Sequence, residues 1–259
     1  MNLNPPNSYS PSSISQFISC PLAYRYSYIE KRPREPSLAA TKGSIVHRAL
    51  ELLFENSPTN RDLKTALENL DTAFLEYSTN PDLTGLELSD DQLSALKKSS
   101  IKLIHNYFDI EDPTTIKTIG LELKLEAEVK GNTVRGIIDR LDIDENGDLI
   151  VIDYKTGSVP YKQMENSKMD PMHIYSLLCQ SIFGKLPVQV QLIYISKPVT
   201  IIGTPTPNSI KAIENKTNAI SIAVKTAVKN NDFRPKVSRL CDWCSYHELC
   251  PEKGGVIPT

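Results

Sequence analysis

VRGIIDRLDIDENGDLIVIDYKTG, residues 134–157, consists of two apolar segments on either side of a polar turn, a pattern typical of a β-hairpin. Side chains alternate between the two faces of a strand, so residues two positions apart share a face. Asp139 therefore lies on an otherwise apolar face of the first strand, and Asp153 shares a face of the second strand with Lys155. Because an unpaired buried carboxylate is costly, a divalent metal shared by the two aspartates, with the lysine beside it, would explain all three residues.

The length of the turn decides whether the two aspartates face each other. A two-residue loop would place Asp139 opposite Tyr154 and would turn Asp153 to the other side of the hairpin. We therefore predict a three-residue loop, residues 145–147, with a type I turn and with Gly147 in the left-handed region, which forms a G1 bulge. The other acids around the turn are expected to be solvated, namely Asp142, Asp144, Glu145 and Asp148.

Length and composition are typical of one large globular domain, or of a domain with an elaborated helical part. The chain has 259 residues, of which 40% are hydrophobic and 23% are charged, and its net charge is -2. This charge provides no bulk attraction to nucleic acid, so any DNA contact requires a local basic patch. No apolar run approaches the length of a membrane span and the N-terminus lacks signal-peptide features, so we expect a cytoplasmic protein.

Apolar periodicity predicts a mixed α/β domain. Besides the hairpin, we expect helices over residues 43–56, 60–79, 89–108, 172–183 and 208–230, and strands over residues 121–129, 188–196 and 199–204. Residues 1–9 are expected to form a disordered leader and residues 31–40 a loop. In the strand over residues 121–129, glutamates alternate with apolar side chains, which favours a solvated glutamate face, and Glu122 is the glutamate best placed to reach the site.

Three of the five cysteines crowd together in CDWCSYHELC, residues 241–250. In a chain that is expected to be intracellular, such a group favours metal binding over disulfides. A closed site needs a fourth ligand, for which Cys20 is the best candidate because it shares a Cys-Pro context with Cys250, and His247 is the alternative. Zinc and a [4Fe–4S] cluster both take four cysteines, so both metals stay open, whereas the lone Cys179 is expected to be a core thiol.

The acidic residues also resemble the metal site of the PD-(D/E)xK nuclease superfamily, in its RecB-family exonuclease branch. Asp139, in the context GIID, matches the metal-binding aspartate of this family, and Asp153 and Lys155, in IDYKTG, match its paired acid and lysine. Gly43-x-x-x-His47 matches the N-terminal motif of the family, in which the histidine helps to bind the metal. The resemblance therefore implies a metal-dependent nuclease.

Two further positions bear on how DNA would be held. Tyr175 matches the tyrosine of the family's Gln-x-x-x-Tyr motif, which helps to position DNA, whereas Pro171 occupies the place of the glutamine. This departure from the motif is expected to change how the protein binds its DNA substrate. Arg48 is the second candidate DNA-binding residue.

The cysteines resemble the iron–sulfur staple of AddB-type nucleases and of CRISPR-associated RecB-like exonucleases. Residues 8–29, SYSPSSISQFISCPLAYRYSYI, resemble the N-terminal signature of these proteins, which is a short helix leading into Cys-Pro and an aromatic run. The resemblance implies a [4Fe–4S] cluster in preference to Zn²⁺. The implied ligands, which would link the two ends of the chain, are Cys20, Cys241, Cys244 and Cys250.

The resemblance also implies a fold, a restriction-endonuclease-like αβββαβ core of the α/β (α+β) class with a helical insertion and with N- and C-termini clamped by the iron–sulfur site. We expect a single nuclease domain over residues 1–259. Its expected parts are an N-terminal segment with the first cysteine at 10–40, the helical insertion at 58–112, the catalytic sheet core at 116–204 and the cysteine cluster at 236–251.

The implied activity is metal-dependent hydrolysis of DNA by an exonuclease that acts in DNA repair, recombination, or phage or defence DNA processing. Mg²⁺ or Mn²⁺ would be held by His47, Asp139, Asp153 and the backbone carbonyl of Tyr154. Lys155 would orient the attacking water or stabilise charge in the transition state. The expected partners are single-stranded DNA or duplex ends, and a helicase or another recombination protein. The alternative is a non-catalytic DNA-binding module that is held together by an iron–sulfur cluster or by zinc.

Overall fold

The computed structural model describes residues 3–255. In chain order its helices are α1 (Pro11–Ser19), α2 (Pro21–Tyr24), α3 (Leu38–Glu55), α4 (Leu63–Tyr77), α5 (Pro81–Thr84), α6 (Asp90–Phe108), α7 (Glu165–Lys168), α8 (Asp170–Phe183) and α9 (Pro207–Asn230). Its strands are β1 (Thr118–Val129), β2 (Asn132–Ile143), β3 (Leu149–Lys155), β4 (Gln189–Tyr194) and β5 (Val199–Gly203). Single turns of 3₁₀ or π helix lie at Arg25–Ile29, Pro58–Asn60, Pro113–Thr115, Lys162–Met164, Arg239–Trp243, His247–Leu249 and Pro251–Lys253.

Within the described chain, the strands form one mixed sheet of five strands in the order β1-β2-β3-β4-β5. Strand β3 pairs antiparallel with β2 and parallel with β4, and β4 pairs antiparallel with β5. Helix α8 connects the two parallel strands, as a parallel pair requires a crossover. The order α3, β1, β2, β3, α8, β4 is the αβββαβ order, with α4 to α6 inserted after its first helix, so the expected mixed α/β fold is confirmed. Between residues 3 and 255, no helix combines the length and the apolar character that a membrane crossing requires.

The β2–β3 turn has the predicted three-residue loop. The ladder places Arg140 opposite Ile152, and at its end the Asp144 N–H donates to the Asp148 carbonyl at 3.0 Å. The Gly147 N–H donates to the Asp144 carbonyl at 3.1 Å, and the φ angle of Gly147 is +79°, in the left-handed region. The odd loop length puts the two aspartates of the sequence prediction on the same face of the hairpin.

The chain divides into two compact units, and the larger one comprises Pro36–Leu125 and Ile137–Thr206. Its core is formed where apolar side chains of α3, α4 and α6 pack with side chains of β3 and β4. These include Ile45, Leu50, Leu53, Leu70, Ile104, Tyr107, Ile152 and Ile193, none of which is measurably exposed. Burial of this apolar surface is the main favourable term in holding the helices on the sheet.

Helix α3 begins earlier than predicted. It starts at Leu38, with Ser37 as an extended N-cap, so residues 38–40 are helical although a loop was expected over residues 31–40. The segment Leu-Ala-Ala-Thr-Lys consists largely of good helix formers, and it extends the helix to the N-terminal side of Gly43.

Arg61 anchors the segment between α3 and α4. Its buried guanidinium donates to four backbone carbonyls, at 3.0 Å to Asn56, 3.2 Å to Phe54, 2.9 Å to Ile116 and 3.3 Å to Pro113. Carbonyls that water cannot reach need such partners, so this one side chain ties the end of α3 to the approach to β1.

The smaller unit comprises Glu126–Gly136 and the described parts of Met1–Glu35 and Pro207–Thr259. The prediction of a disordered leader is wrong at Tyr9, which is buried and bridges to β2. Its N–H donates to the Thr133 carbonyl at 2.9 Å, and its carbonyl accepts from the Arg135 N–H at 2.8 Å. Its hydroxyl also donates to the Ser221 carbonyl at 3.5 Å. Pairing of this segment with β2 allows the aromatic side chain to be buried, which explains why the chain is ordered here. The first two residues of the predicted leader lie outside the described residues.

Candidate functional site

A histidine and two carboxylates from three different elements come together in the larger unit. His47 lies on α3, Glu122 on β1 and Asp139 on β2, and each offers a ligand atom within 4.8 Å of the other two. The Nδ1 atom of His47 lies 3.4 Å from the Oδ2 atom of Asp139. One imidazole and two carboxylates are donors that Mg²⁺ and Mn²⁺ accept, so this group can hold a divalent cation.

The spacing Gly43-x-x-x-His47 has a packing reason. A Cβ atom on Gly43 would lie 3.1 Å from Oγ1 of Thr156, the residue that follows the last residue of β3. Helix α3 therefore passes close to the end of β3, and a larger side chain at position 43 would require the Thr156 hydroxyl to move aside. Because residues four apart lie on the same face of a helix, His47 is presented to the same end of the sheet one turn later.

Glu122 is the glutamate that the sequence marked as best placed to reach the site, and the expectation of a solvated glutamate face on its strand is wrong at this residue. Its backbone has a φ angle of +41°, in the left-handed region that residues other than glycine rarely adopt. This conformation interrupts the regular alternation of β1, so parity no longer predicts where the Glu122 side chain points. No local feature of the sequence, such as a glycine or an asparagine at this position, indicates the interruption.

Asp153 and Lys155 form an ion pair beside this group. Asp153 is buried, with 4% of its surface exposed, whereas Lys155 is partly exposed. Burial alone would lower the pKa of Lys155, but the neighbouring charges of Asp153 and Asp139 outweigh it and the pKa is raised. The lysine is therefore a fixed positive charge at the edge of the site. Among the described residues, Asp153 is not part of the compact group of three ligands.

The carboxylates repel one another, and their pKa values reflect this. Burial, reinforced by the charge of Asp153, raises the pKa of Asp139 to about 8. Burial and the charge of Asp139 raise the pKa of Glu122 to about 7. Burial lowers the pKa of His47, which keeps the imidazole neutral and able to bind a metal near pH 7. A bound cation would relieve the repulsion, so the charges of the group fit a metal site.

The candidate DNA-binding residues lie in contrasting surroundings. Tyr175 on α8 is buried, and its pKa is raised first by burial and then by nearby charges that include Asp153 and Asp139, so its hydroxyl stays protonated close to the carboxylates. Arg48, in contrast, forms ion pairs at 2.8 Å with both Glu51 and Glu76 on the partly exposed surface of α3 and α4. The contact of either residue with DNA stays a prediction.

Behind the site lies a buried charged network that the sequence did not reveal. Arg140 is 1% exposed, and its Nε atom donates to Asp142 Oδ2 at 3.0 Å. The expectation that Asp142 is solvated is wrong, because this carboxylate is buried and also accepts from the Thr118 hydroxyl at 2.9 Å. Arg140 also pairs with Glu111 and donates to the hydroxyl of Tyr154. Burial of the Arg140 charge also depends on Glu111, which lies 29 residues away in the sequence, beyond the reach of a local pattern.

The smaller unit brings four cysteines to one cavity of about 320 Å³, which Cys20, Cys241, Cys244 and Cys250 all line. The N–H groups of Lys236 and Ser238 point at sulfur atoms, at 3.5 Å from Cys20 Sγ and 3.3 Å from Cys241 Sγ. Burial raises the pKa of Cys244, and the other three thiols of the cavity add to the shift. His247 lines the same cavity. The lone Cys179, in contrast, is a fully buried core thiol, and burial raises its pKa to about 12.

Comparison with known proteins identifies relatives over nearly the whole chain. A sequence model of the PD-(D/E)XK nuclease superfamily matches residues 8–251. An uncharacterized protein of Rickettsia bellii is 24% identical over 260 residues, which are 88% of this chain and 30% of that protein. An uncharacterized protein of Rickettsia typhi, RT0391, is 29% identical over 146 residues, which are 52% of this chain and 16% of that protein. The chain thus spans less than a third of the length of these curated relatives.

A solved structure has a similar fold. A protein from Eubacterium rectale that is provisionally named an exonuclease superposes with a TM-score of 0.57 at 15% sequence identity. The superposition covers 93% of this chain and 88% of that one. At this level of identity, the similarity supports the fold alone.

Proposed function

The chain belongs to the PD-(D/E)XK nuclease superfamily, and we propose that it is a RecB-like, metal-dependent deoxyribonuclease that acts as an exonuclease. The observation that carries this proposal is the compact group of His47, Glu122 and Asp139, whose ligand atoms lie within 4.8 Å of one another beside a lysine. The name of the Eubacterium rectale protein, which shares the fold, supports the exonuclease mode. Residues 1–259 are proposed to function as one nuclease domain.

Each residue of the site has a proposed role. His47, Glu122 and Asp139, with Asp153 and the backbone carbonyl of Tyr154, would hold Mg²⁺ or Mn²⁺. A bound ion supplies Lewis-acid polarisation of the scissile phosphate and a more acidic water.

Lys155 is proposed to orient the attacking water and to stabilise the negative charge that develops on the phosphate. Asp153 keeps the Lys155 ammonium group charged and fixed through their ion pair. Tyr175 and Arg48 are proposed to contact the DNA strand. Tyr175 is the stronger candidate of the two because it lies close to the carboxylates, whereas the charge of Arg48 is already shared with glutamates.

A cleavage assay on end-labelled single-stranded and duplex DNA, with Mn²⁺ or Mg²⁺, tests activity and polarity together. We expect loss of cleavage by roughly 10²-fold or more for Asp139→Asn and for Lys155→Met. The matched control is Asp148→Asn, which removes a carboxylate from the β2–β3 turn and should leave cleavage unchanged. Wild-type protein that binds DNA but cleaves no substrate with either metal would contradict the proposal.

That outcome would favour the second candidate function, a non-catalytic DNA-binding module. The observation in its favour is Pro171, which stands in the first turn of α8 where the family motif has a glutamine. The two candidates differ in the effect of Lys155→Met, because a binding module would lose affinity for DNA without any change in a reaction rate.

We further propose that Cys20, Cys241, Cys244 and Cys250 bind a [4Fe–4S] cluster that ties the ends of the chain together. Their arrangement around one cavity and the N–H groups aimed at two of the sulfurs support a site for a negatively charged cluster. Zinc, held by four thiolates in a tetrahedron, is the alternative metal for the same four cysteines.

Anaerobic purification followed by absorption spectroscopy and metal analysis tests the cluster. We expect a broad band near ~400 nm, with iron and acid-labile sulfide in stoichiometric amounts. Cys20→Ser should lose the band, whereas Cys179→Ser, which changes the buried core thiol, should keep it. One zinc per chain without the band would establish zinc in place of the cluster.

We propose the biological setting from the resemblance to RecB-family exonucleases. DNA repair, recombination or defence against phage DNA are processes in which RecB-like exonucleases work beside a helicase or another recombination protein. The curated relatives are several times longer than this chain, which is compatible with a nuclease unit that works together with other domains.

A further inference from the structure

Tyr154 is the residue at which the candidate metal site meets the buried network behind it. Its backbone N–H donates to Oδ2 of Asp139 at 2.7 Å. Its ring packs edge-on against the His47 imidazole, with the ring centres 5.9 Å apart and the planes at 82°. Its hydroxyl accepts a hydrogen bond from Arg140. One buried residue thus contacts two candidate metal ligands and the network.

The network can hold the Tyr154 hydroxyl in place because Arg140 is itself held by several partners. Its Nε atom donates to both carboxylate oxygens of Asp142, at 3.1 and 3.0 Å, and its Nη2 atom donates to Glu111 at 3.1 Å. Its guanidinium also lies over the ring of Phe54, 4.3 Å from the centre. Rotation of this planar group would leave charges buried without a partner, which is strongly unfavourable.

We infer that Tyr154 is a positioning residue, which fixes the spacing of the His47 imidazole and the Asp139 carboxylate through its anchorage to Arg140. A metal site needs its ligands within a few tenths of an ångström of their positions, and groups that orient the ligands contribute to affinity for that reason. The inference rests on the proposed metal-dependent function. The resemblance to the family implies a role only for the backbone carbonyl of Tyr154, as a metal ligand. The inference gives its side chain a separate role, which is to position two other ligands.

The test compares two variants that each remove one hydroxyl from the same network. Tyr154→Phe breaks the link between Arg140 and the ligands. Tyr107→Phe is the matched control, since it removes a hydroxyl that donates to Glu111 at 2.7 Å and accepts from Arg140 at 3.4 Å, and it keeps the ring that packs edge-on against Tyr154. Mn²⁺ binding is measured by calorimetry without DNA, and the electron paramagnetic resonance spectrum of bound Mn²⁺ reports the symmetry of the site.

Tyr154→Phe is expected to weaken Mn²⁺ binding by roughly 10-fold or more and to change the spectrum, whereas Tyr107→Phe should change affinity by less than about 3-fold. Equal losses in both variants, or losses that follow thermal stability alone, would overturn the positioning role. If Tyr154→Phe does not fold, Glu111→Gln replaces it, because it loosens Arg140 without changing the tyrosine. Mn²⁺ affinity that is unchanged by Glu111→Gln would also overturn the role.

The Mn²⁺ measurements separate this inference from the proposed function. If the wild-type protein binds Mn²⁺ and Tyr154→Phe weakens the binding, but no DNA is cleaved, the nuclease proposal fails and the positioning role stands. If DNA is cleaved and Tyr154→Phe retains both Mn²⁺ affinity and cleavage rate, the nuclease proposal stands and the positioning role fails.

Discussion

The raised pKa values of Glu122 and Asp139 predict that divalent metal binding strengthens steeply with pH. The pKa of Glu122 is about 7 and that of Asp139 about 8, both because the carboxyls are buried next to other negative charges. At about pH 6, both groups hold protons that a cation must displace, and at about pH 8.5 few of these protons remain. Varying the pH of the unmutated protein is therefore enough to test whether metal affinity depends on these two carboxyls.

The two pKa values determine the size of the effect. Displacement of two protons makes the apparent affinity rise by up to about 100-fold per pH unit where both groups are protonated. Between about pH 6 and about pH 8.5, the Mn²⁺ affinity should increase on the order of 10²- to 10³-fold. His47 adds little to this slope because burial lowers its pKa and the imidazole is already neutral.

The same shifts predict how the stability of the metal-free protein changes with pH. Both folded pKa values lie above the unfolded values of about 4, so between these limits the folded state binds more protons than the unfolded state. Stability without metal should therefore fall as pH rises from about 4 to about 8. Saturating Mn²⁺ should suppress the decline at the upper end, and thermal unfolding with and without the ion measures the difference.

Calorimetry of Mn²⁺ binding in buffers with different protonation enthalpies counts the protons directly. Release should approach two per ion near pH 6 and fall toward zero above pH 8.5. Glu122→Gln should reduce the release by about one proton, whereas Glu126→Gln, an exposed glutamate of the same strand, should leave the profile unchanged. A release below about half a proton near pH 6, or an unaltered profile in Glu122→Gln, would refute the assignment of these carboxyls to the metal.

Four further substitutions have expected outcomes that follow from the structure. Lys155→Met should reduce the cleavage rate by roughly 10²-fold or more and change the Mn²⁺ affinity by less than about 3-fold, in parallel kinetic and calorimetric titrations. Arg61→Met should lower the free energy of unfolding by about 3 kcal/mol, measured in urea, because four backbone carbonyls lose their donor. Arg48→Met, which breaks ion pairs at the surface, should cost about 1 kcal/mol or less in the same experiment. Gly147→Ala should cost about 1 kcal/mol, because its φ angle of +79° disfavours any residue with a Cβ atom.

The parts of the fold that could be predicted from the sequence are those that depend on local geometry. The pleat of a strand has a period of two and a turn has a fixed number of residues, so the facing of Asp139 and Asp153 could be worked out by counting. Burial of Asp142 could not be worked out this way. Its carboxylate pairs with Arg140, two residues away. Arg140 pairs in addition with Glu111, which lies beyond the end of α6. Long-range pairing of this kind leaves no periodic trace, and a charged residue in a strand is expected to be exposed until its partner is known.

The backbone conformation of Glu122 explains why strand alternation favoured a solvated glutamate there, and it also supports the candidate metal site. A left-handed backbone at a residue other than glycine costs on the order of 1 kcal/mol or more, and it persists only where surrounding structure enforces it. In β1 this conformation accompanies a glutamate whose carboxyl lies with His47 and Asp139 and whose pKa is raised to about 7. A solvated glutamate on a regular strand would avoid both the strain and the repulsion. The two costs occur together at one residue, and a cation bound between these carboxylates is the interaction that would offset them both.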